Sequence, residues 1–198
     1  MKKVMMVLAA AASLAAGAAE KMLVLPPAEK SGGIPLYTAL AKRHTVRKFK
    51  AQKPSRQQLA NLLWCANGVN REDGKRTAPS ARNRQEIMIY VAIEDGAYLY
   101  DAQAHALVKV SDVDLRRACG RYTAPCYLVL VADRARQEKD EWAWTDSGYV
   151  SQNIYLAAEA GGLGTCAMGM IVNRDLLKKE LKLGGNTLTL VHPVGVPE

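Results

Sequence analysis

The sequence predicts one α+β domain, and three observations support this fold class. The 198 residues are 49% hydrophobic and 23% charged, a composition typical of a globular domain with a buried core. Hydrophobic patterns of helical and of strand period alternate along residues 35–198. Neither an internal repeat nor a second linker-like boundary interrupts that stretch. The mixture of the two patterns therefore favours a single α+β domain.

The first 19 residues are predicted to be a secretory signal peptide. Lys2 and Lys3 form a positive start, residues 4–16 are apolar and uncharged, and residues 16–18 offer a cleavage site of small residues. The apolar stretch is too short to span a bilayer, so we expect a chain exported to the periplasm, without stable membrane insertion after cleavage. An uncleaved anchor and a buried helix are the alternatives.

Residues 20–34 are predicted to be a linker, because they combine charged residues with paired prolines and paired glycines. A helix then begins at Pro35, a residue type that suits the first helical turn. A second helix follows Ser55, which with Gln58 forms the pattern of a capping box. This helix is expected to end at Asn67 and the glycine after it.

The rest of the domain is predicted to alternate strands and helices. Short apolar runs predict strands at residues 87–93, 98–101, 106–110, 127–132, 166–172 and 187–191. Helical patterns predict a short helix that ends at Cys119, a long one over residues 147–160, and a last one capped by Asn173. The 147–160 pattern is apolar nearly all round, so this helix is expected inside the fold or at an interface.

Several function classes are disfavoured by what the sequence lacks. It contains no zinc-finger, RNP or basic-zipper spacing, so nucleic-acid binding is not expected although the formal net charge is +8. Its three histidines have no ligand spacing, so no metal site is expected. No G-x-S-x-G, H-E-x-x-H or Walker motif is present. Cys119 and Cys126 are either a disulfide or two buried thiols.

The segment 43–49, Arg-His-Thr-Val-Arg-Lys-Phe, lies within residues 30–71, which contain nine basic side chains and no acidic one. Such a stretch is either a solvated face or a site for an external anion. If the preceding helix continued, Arg43 and Arg47 would share one side of it. A phosphate between them would accept hydrogen bonds from both guanidinium groups, and Thr45 adds a hydroxyl.

Two later segments offer contacts to a flat ring. In the loop 79–85, the side chains of Ser80, Asn83 and Gln85 can hydrogen-bond the edge of a heterocycle. The glycines within residues 161–164 allow a ligand to approach the backbone closely.

In this order, the segments resemble the flavin-dependent nitroreductase family, and the resemblance covers residues 36–197. Residues 43–49 resemble its R-[RH]-[ST]-x-R-x-F motif, and residues 79–85 resemble its P-S-x-x-N-x-Q loop. Residues 162–169 are similar to its G-L-G-[TS]-x-x-x-G segment, and residues 193–197 to its P-V-G-x-P ending.

The SagB-type dehydrogenases are the branch that the chain resembles most. The similarity lies in residues 62–69, 76–81, 98–101 and 148–158. In that branch small apolar residues follow Pro-Ser-Ala, whereas charged and amide residues follow Ala81 here. Members of that branch oxidise substrates such as azolines in peptide natural products. We therefore expect the pocket of this chain to be more polar and more positive than the pocket that oxidises azolines.

The resemblance implies a nitroreductase-like α+β fold, in which helices flank a central, mostly antiparallel sheet, with FMN at the interface of a homodimer. It implies that FMN is bound by Arg43, His44, Thr45, Arg47, Pro79, Ser80, Ala81, Asn83, Gly162, Leu163, Gly164, Met168 and Gly169. It assigns no catalytic side chain, because the flavin carries the hydride chemistry.

The function expected from this resemblance is FMN-dependent hydride transfer, through flavin N5, to or from a small organic substrate. NAD(P)H is a candidate electron donor. The signal peptide, however, would export the chain from the cytoplasm, and NAD(P)H is scarce outside it. A SagB-like dehydrogenase that oxidises its substrate is the alternative enzyme. A non-catalytic flavin-binding protein is the alternative from a different class.

Overall fold

Five α-helices, one short 3₁₀ helix (Ala81–Asn83) and seven strands are formed by residues 22–136 and 139–198, which this computed structural model describes. The helices are α1 (Leu36–Lys42), α2 (Arg56–Asn67), α3 (Arg116–Cys119), α4 (Asp140–Ala160) and α5 (Arg174–Glu180). The strands are β1 (Met22–Val24), β2 (Ile87–Ile93), β3 (Gly96–Asp101), β4 (Ala106–Ser111), β5 (Cys126–Ala132), β6 (Gly164–Thr165) and β7 (Thr187–Gly195). The predicted signal peptide, residues 1–19, lies outside the described residues.

The strands form one sheet in the order β1-β4-β3-β2-β5-β7-β6, and each neighbouring pair is antiparallel. Strand β5 lies in the middle, and all seven of its residues are buried. Its side chains alternate between the two faces: Leu128 and Leu130 pack with residues of α2 and α4, whereas Val129 and Val131 pack with residues of α3 and α5. The predicted α+β fold with helices on an antiparallel sheet is therefore confirmed.

Helix α2 begins with the predicted capping box. The Ser55 hydroxyl accepts from the Gln58 backbone N–H at 3.0 Å, and the Gln58 side chain accepts from the Ser55 N–H at 2.9 Å. The amide of Gln58 also donates to the Gly161 carbonyl at 2.9 Å. The start of α2 is thus tied to the end of α4.

The predicted linker 20–34 includes an edge strand of the sheet. Met22 pairs with Val108 in strand β4, and Leu25 is buried directly after the strand. Only three residues pair before Pro26, which is too short a run to show strand alternation in the sequence. The linker assignment is corrected for residues 22–25.

Helix α4 begins at Asp140, earlier than the predicted start at Ser147. Asp140 and Glu141 occupy its first turn, where the helix dipole stabilises negative side chains. On sequence grounds the charged residues 133–141 indicate a surface loop or a helix start, and the structure has the helix start. Two aromatic side chains of the helix remain half-exposed, Trp144 and Tyr149, the latter at 47%. No helix within the two described ranges is long and apolar enough to cross a membrane.

The strand predicted over residues 166–172 is wrong. Strand β6 contains only Gly164 and Thr165, after which Met168 makes a single bridge to Val191 of β7. Between them the Ala167 N–H donates to a side-chain hydroxyl instead of to β7. The chain therefore leaves the sheet after two residues.

The four cysteines are free thiols, so no disulfide joins Cys119 and Cys126 in this structure. Both side chains are buried. Burial raises the pKa of both thiols, that of Cys126 to about 12. These two cysteines therefore act as small core residues.

Candidate functional site

The segment 43–49 is extended, not helical. Helix α1 ends at Lys42, and the N–H of Arg43 closes its last turn on the Ala39 carbonyl. The N–H of Val46 then donates to the Thr165 carbonyl in β6 at 2.9 Å. The expectation that Arg43 and Arg47 share one side of a helix is therefore wrong, because Val46 bonds across to the neighbouring strand.

Tyr155 of α4 contacts the side chains of Arg43 and Thr45 in the first half of this segment. The Arg43 guanidinium lies 5.3 Å from the centroid of the Tyr155 ring. The Tyr155 hydroxyl lies 3.4 Å from the Thr45 hydroxyl and accepts from the Ala167 N–H at 2.9 Å. Alternate residues of an extended chain point to the same side, so Arg43 and Thr45 reach the same ring. In the sequence, Tyr155 is recognisable only as part of an apolar helix.

Arg47 lies on a cavity of about 230 Å³ beside residues 166–170. Burial raises the pKa of the Cys166 thiol in the cavity wall, and the positive charge of Arg47 opposes that shift. His44 is exposed instead, with its Nδ1 3.0 Å from the Lys42 carbonyl oxygen. The structure thus brings Arg43, Thr45 and Arg47 to one region and leaves His44 in solvent.

A buried histidine, His192, packs against Thr165 and Tyr155, the residues that contact the arginine segment. His192 contacts Thr165 Oγ1 through Nδ1 at 3.1 Å and Ser151 Oγ through Nε2 at 3.0 Å, and its ring packs edge-on against Tyr155 at 5.7 Å. Burial lowers the pKa of His192 to about 3, so the ring is neutral at physiological pH. The Thr165 hydroxyl donates its one proton to the Pro193 carbonyl, so towards His192 it acts as the acceptor. The imidazole proton of His192 is therefore on Nδ1, and Nε2 accepts a hydrogen bond from the Ser151 hydroxyl.

The glycine-rich turn after α4 is required by the fold of this chain. Gly162 has a left-handed φ of +69°. A Cβ on Gly164 would lie 2.7 Å from the side chain of Val46, so only glycine allows the 43–49 segment to pass. Leu163 is buried between them, while Met168 and Gly169 line the cavity at Arg47.

The loop 79–85 packs on a different part of α4. The Ala81 N–H donates to the Asp146 carboxylate at 2.7 Å, and the Gln85 N–H donates to the Ser80 hydroxyl at 2.9 Å. Asn83 is exposed and has a left-handed φ of 53°. Pro79, at the start of the loop, is also exposed.

The loop and the arginine segment do not meet within one chain. Asp146, which holds the loop, and Tyr155, which holds the arginine segment, are nine positions apart in α4. That spacing corresponds to about 13 Å along the axis and to opposite sides of the helix. Two of the three predicted cofactor-binding segments, residues 43–47 and residues 162–169, therefore lie together, and the third lies apart.

Comparison with known proteins places these segments in a family. The family model described as "Nitroreductase family" matches residues 40–196, which is most of the chain. This chain belongs to the nitroreductase family. A Methanocaldococcus jannaschii protein assigned to the nitroreductases is 29% identical over 191 residues, which cover 86% of this chain and 94% of that protein.

Solved nitroreductase-family structures share the fold. One from Ralstonia eutropha has a TM-score of 0.84 at 32% identity and covers 90% of each chain. Another, from Desulfovibrio desulfuricans and determined in complex with FMN, has a TM-score of 0.62 at 21% identity. It covers 84% of this chain and 88% of the other. The predicted family and fold are therefore confirmed.

The side chains of this nitroreductase-family chain suit an elongated anionic ligand such as FMN. Within the described residues, neither Arg43 nor Arg47 pairs with a carboxylate, so both charges are available to an anion. Thr45 adds a hydroxyl, and the partly buried Tyr155 ring borders the same surface. The donor set fits a phosphate and a polyol chain.

Beneath the loop 79–85 lies a buried acidic pair that sequence reasoning missed. Glu86 is 1% exposed, and neither carboxyl oxygen has a hydrogen-bond partner among the described residues. Burial, and secondarily the Asp146 carboxylate, raise the pKa of Glu86 to about 7. The position of Glu86 directly before a strand does not predict its burial, because that burial depends on the packing of α4 over it.

Proposed function

We propose that this chain is an FMN-dependent oxidoreductase that acts on a small organic substrate. The observation that carries the proposal is the cluster of Arg43, Thr45 and Arg47 beside Tyr155 and Ala167, with no carboxylate paired to either arginine in the described part of the chain. Bound FMN supplies hydride transfer through N5, so no catalytic side chain is assigned.

The extended backbone divides the arginines between two ends of the cofactor. Four residues of extended chain separate the Cα atoms of Arg43 and Arg47 by up to about 13 Å. Arg43 and Thr45 are therefore assigned to the phosphate and ribityl chain, with His44 at the exposed margin. Arg47 is assigned to the ring end, together with the 162–169 segment that borders its cavity.

We assign the loop 79–85 to the FMN of a second copy of the chain. Pro79, Ser80, Ala81 and Asn83 lie on the opposite side of α4 from Tyr155, so they do not reach the same molecule within one chain. A homodimer supplies the missing half. Exposed apolar side chains on α1 and α4 offer the surface for it: Leu36, Tyr37, Leu40, Trp144 and Tyr149.

The electron donor follows from where the chain resides. If residues 1–19 direct export, a donor other than NAD(P)H is favoured, because nicotinamide nucleotides are scarce outside the cytoplasm. Under that condition the chain either draws electrons from another carrier or oxidises its substrate, as a SagB-like dehydrogenase does. In the cytoplasm NAD(P)H is the expected donor.

The proposal is tested by the absorption spectrum of the purified protein. We expect flavin absorbance as isolated, or its uptake on addition of FMN. A protein that neither contains nor takes up FMN would refute the proposal. Once FMN is bound, anaerobic addition of NADPH bleaches the flavin if NAD(P)H is the donor. An unbleached flavin would favour the SagB-like dehydrogenase or a non-catalytic flavin-binding protein.

A further inference from the structure

A second arginine shares the cavity at Arg47. Arg121 and Tyr122 come from the connection between α3 and β5, and they face residues 166–170 across the cavity of about 230 Å³. Arg121 lies 74 positions from Arg47 in the sequence and in none of the segments that resemble the family motifs. Only the fold brings the two guanidinium groups to one cavity.

The two guanidinium groups give the cavity an uncompensated positive charge. No carboxylate pairs with Arg47 or Arg121 within residues 22–136 and 139–198. Both charges act on the Cys166 thiol, where they oppose the effect of burial on its pKa. Two cations that face one cavity repel each other. An anion bound between them would be attracted to both, and these attractions would outweigh the repulsion.

Arg121 is held in position by its neighbour, and the rest of the cavity wall is apolar. The Arg121 guanidinium donates to the Tyr122 hydroxyl at 2.9 Å and lies 5.0 Å from the ring centroid. Met168, Met170 and Val172 complete the wall. Met170 is 78% exposed, which leaves an apolar surface at the cavity mouth. A ligand that suits these groups carries an oxyanion on a small apolar body.

We infer that the cavity between Arg47 and Arg121 selects an anionic substrate, a small apolar molecule with one carboxylate or phosphate group. This inference rests on the proposed function, because the cavity borders the segment 162–169 assigned to the ring end of FMN. Arg43 and Thr45 serve the cofactor phosphate in that assignment, which leaves Arg121 for the substrate. Arg121 is therefore a specificity-determining residue.

The test compares benzoate with benzamide, which differ in charge but hardly in shape. Binding to the FMN-loaded protein is followed by the change in flavin absorbance, and binding to the flavin-free protein by calorimetry. We expect benzoate to bind more tightly than benzamide. Arg121→Gln should weaken benzoate binding about tenfold and leave benzamide binding unchanged, because a charge-assisted hydrogen bond is lost. Arg117→Gln is the matched control, since exposed Arg117 donates to Thr123 and does not line the cavity.

Three results would overturn the inference. The first is equal binding of benzoate and benzamide, or binding of neither. The second is benzoate affinity that Arg121→Gln leaves unchanged. The third is a loss of FMN affinity without loss of riboflavin affinity in Arg121→Gln, which would assign Arg121 to the cofactor phosphate. If the protein takes up no FMN, the proposed function fails, whereas calorimetry on the flavin-free protein still decides whether the arginine pair binds an oxyanion.

Discussion

We expect the buried carboxyl of Glu86 to make the stability of this protein depend on pH. Its pKa is raised to about 7 by burial and by Asp146, whereas in the unfolded chain it is near 4.5. Below pH 4.5 both states hold the proton, so this group contributes no difference. Between pH 4.5 and 7 the unfolded chain releases the proton and the folded chain keeps it, so the free energy of unfolding falls as pH rises. The loss reaches at most about 3 kcal/mol above pH 7.

The substitution Glu86→Gln removes this titration while it keeps the size of the side chain. Urea unfolding at several pH values between 5 and 8 should show that the variant gains up to about 3 kcal/mol over the natural chain as pH rises. Glu72→Gln, at an exposed loop position, is the control and should follow the natural chain. Parallel curves for Glu86→Gln and the natural chain would refute the reasoning, since they would mean that Glu86 titrates alike in both states.

Two other substitutions test the geometry around the arginine segment. Tyr155→Phe removes the hydroxyl that joins Thr45 to Ala167, so FMN affinity measured by flavin fluorescence should fall about fivefold while the circular dichroism spectrum is retained; unchanged affinity would contradict this role. Gly164→Ala places a Cβ 2.7 Å from Val46, so the free energy of unfolding in urea should fall by about 1–3 kcal/mol. Adding Val46→Ala should restore part of that loss, and no restoration would show that the contact is not the cause.

Features set by short stretches of sequence could be predicted well. Strand β2 occupies residues 87–93 as predicted, because its apolar run is bounded by polar residues on both sides. The capping box at Ser55 forms with both of its hydrogen bonds, since it needs only residues three apart. The cap at Asn173 likewise accepts from the Leu176 N–H at 3.0 Å.

Features that depend on distant segments could not be predicted. The hydroxyl of Tyr155 draws the Ala167 N–H away from β7, so residues 166–172 do not continue as a strand despite their apolar composition. The position of Arg121 beside Arg47 and the burial of Glu86 both depend on packing with segments far along the chain. No periodicity or motif within the local sequence reports such contacts.

The arginine segment shows the same limit within a correct motif. The spacing of Arg43 and Arg47 indicated one face of a helix, whereas the structure has extended chain there. Hydrogen bonding between Val46 and Thr165 decides the backbone, and it depends on a strand more than 100 residues away. The motif identified the residues, and the fold determined how they are arranged.

The most direct measurement is a comparison of FMN with riboflavin, which lacks only the phosphate, by titration of the flavin-free protein. If Arg43 and Thr45 form the phosphate site, FMN should bind at least about tenfold more tightly than riboflavin, since a charge-assisted hydrogen bond is worth that much. The substitution Arg43→Ala should then reduce the affinity for FMN towards that for riboflavin. Equal affinities for the two flavins, or an FMN affinity that Arg43→Ala does not change, would contradict the assignment.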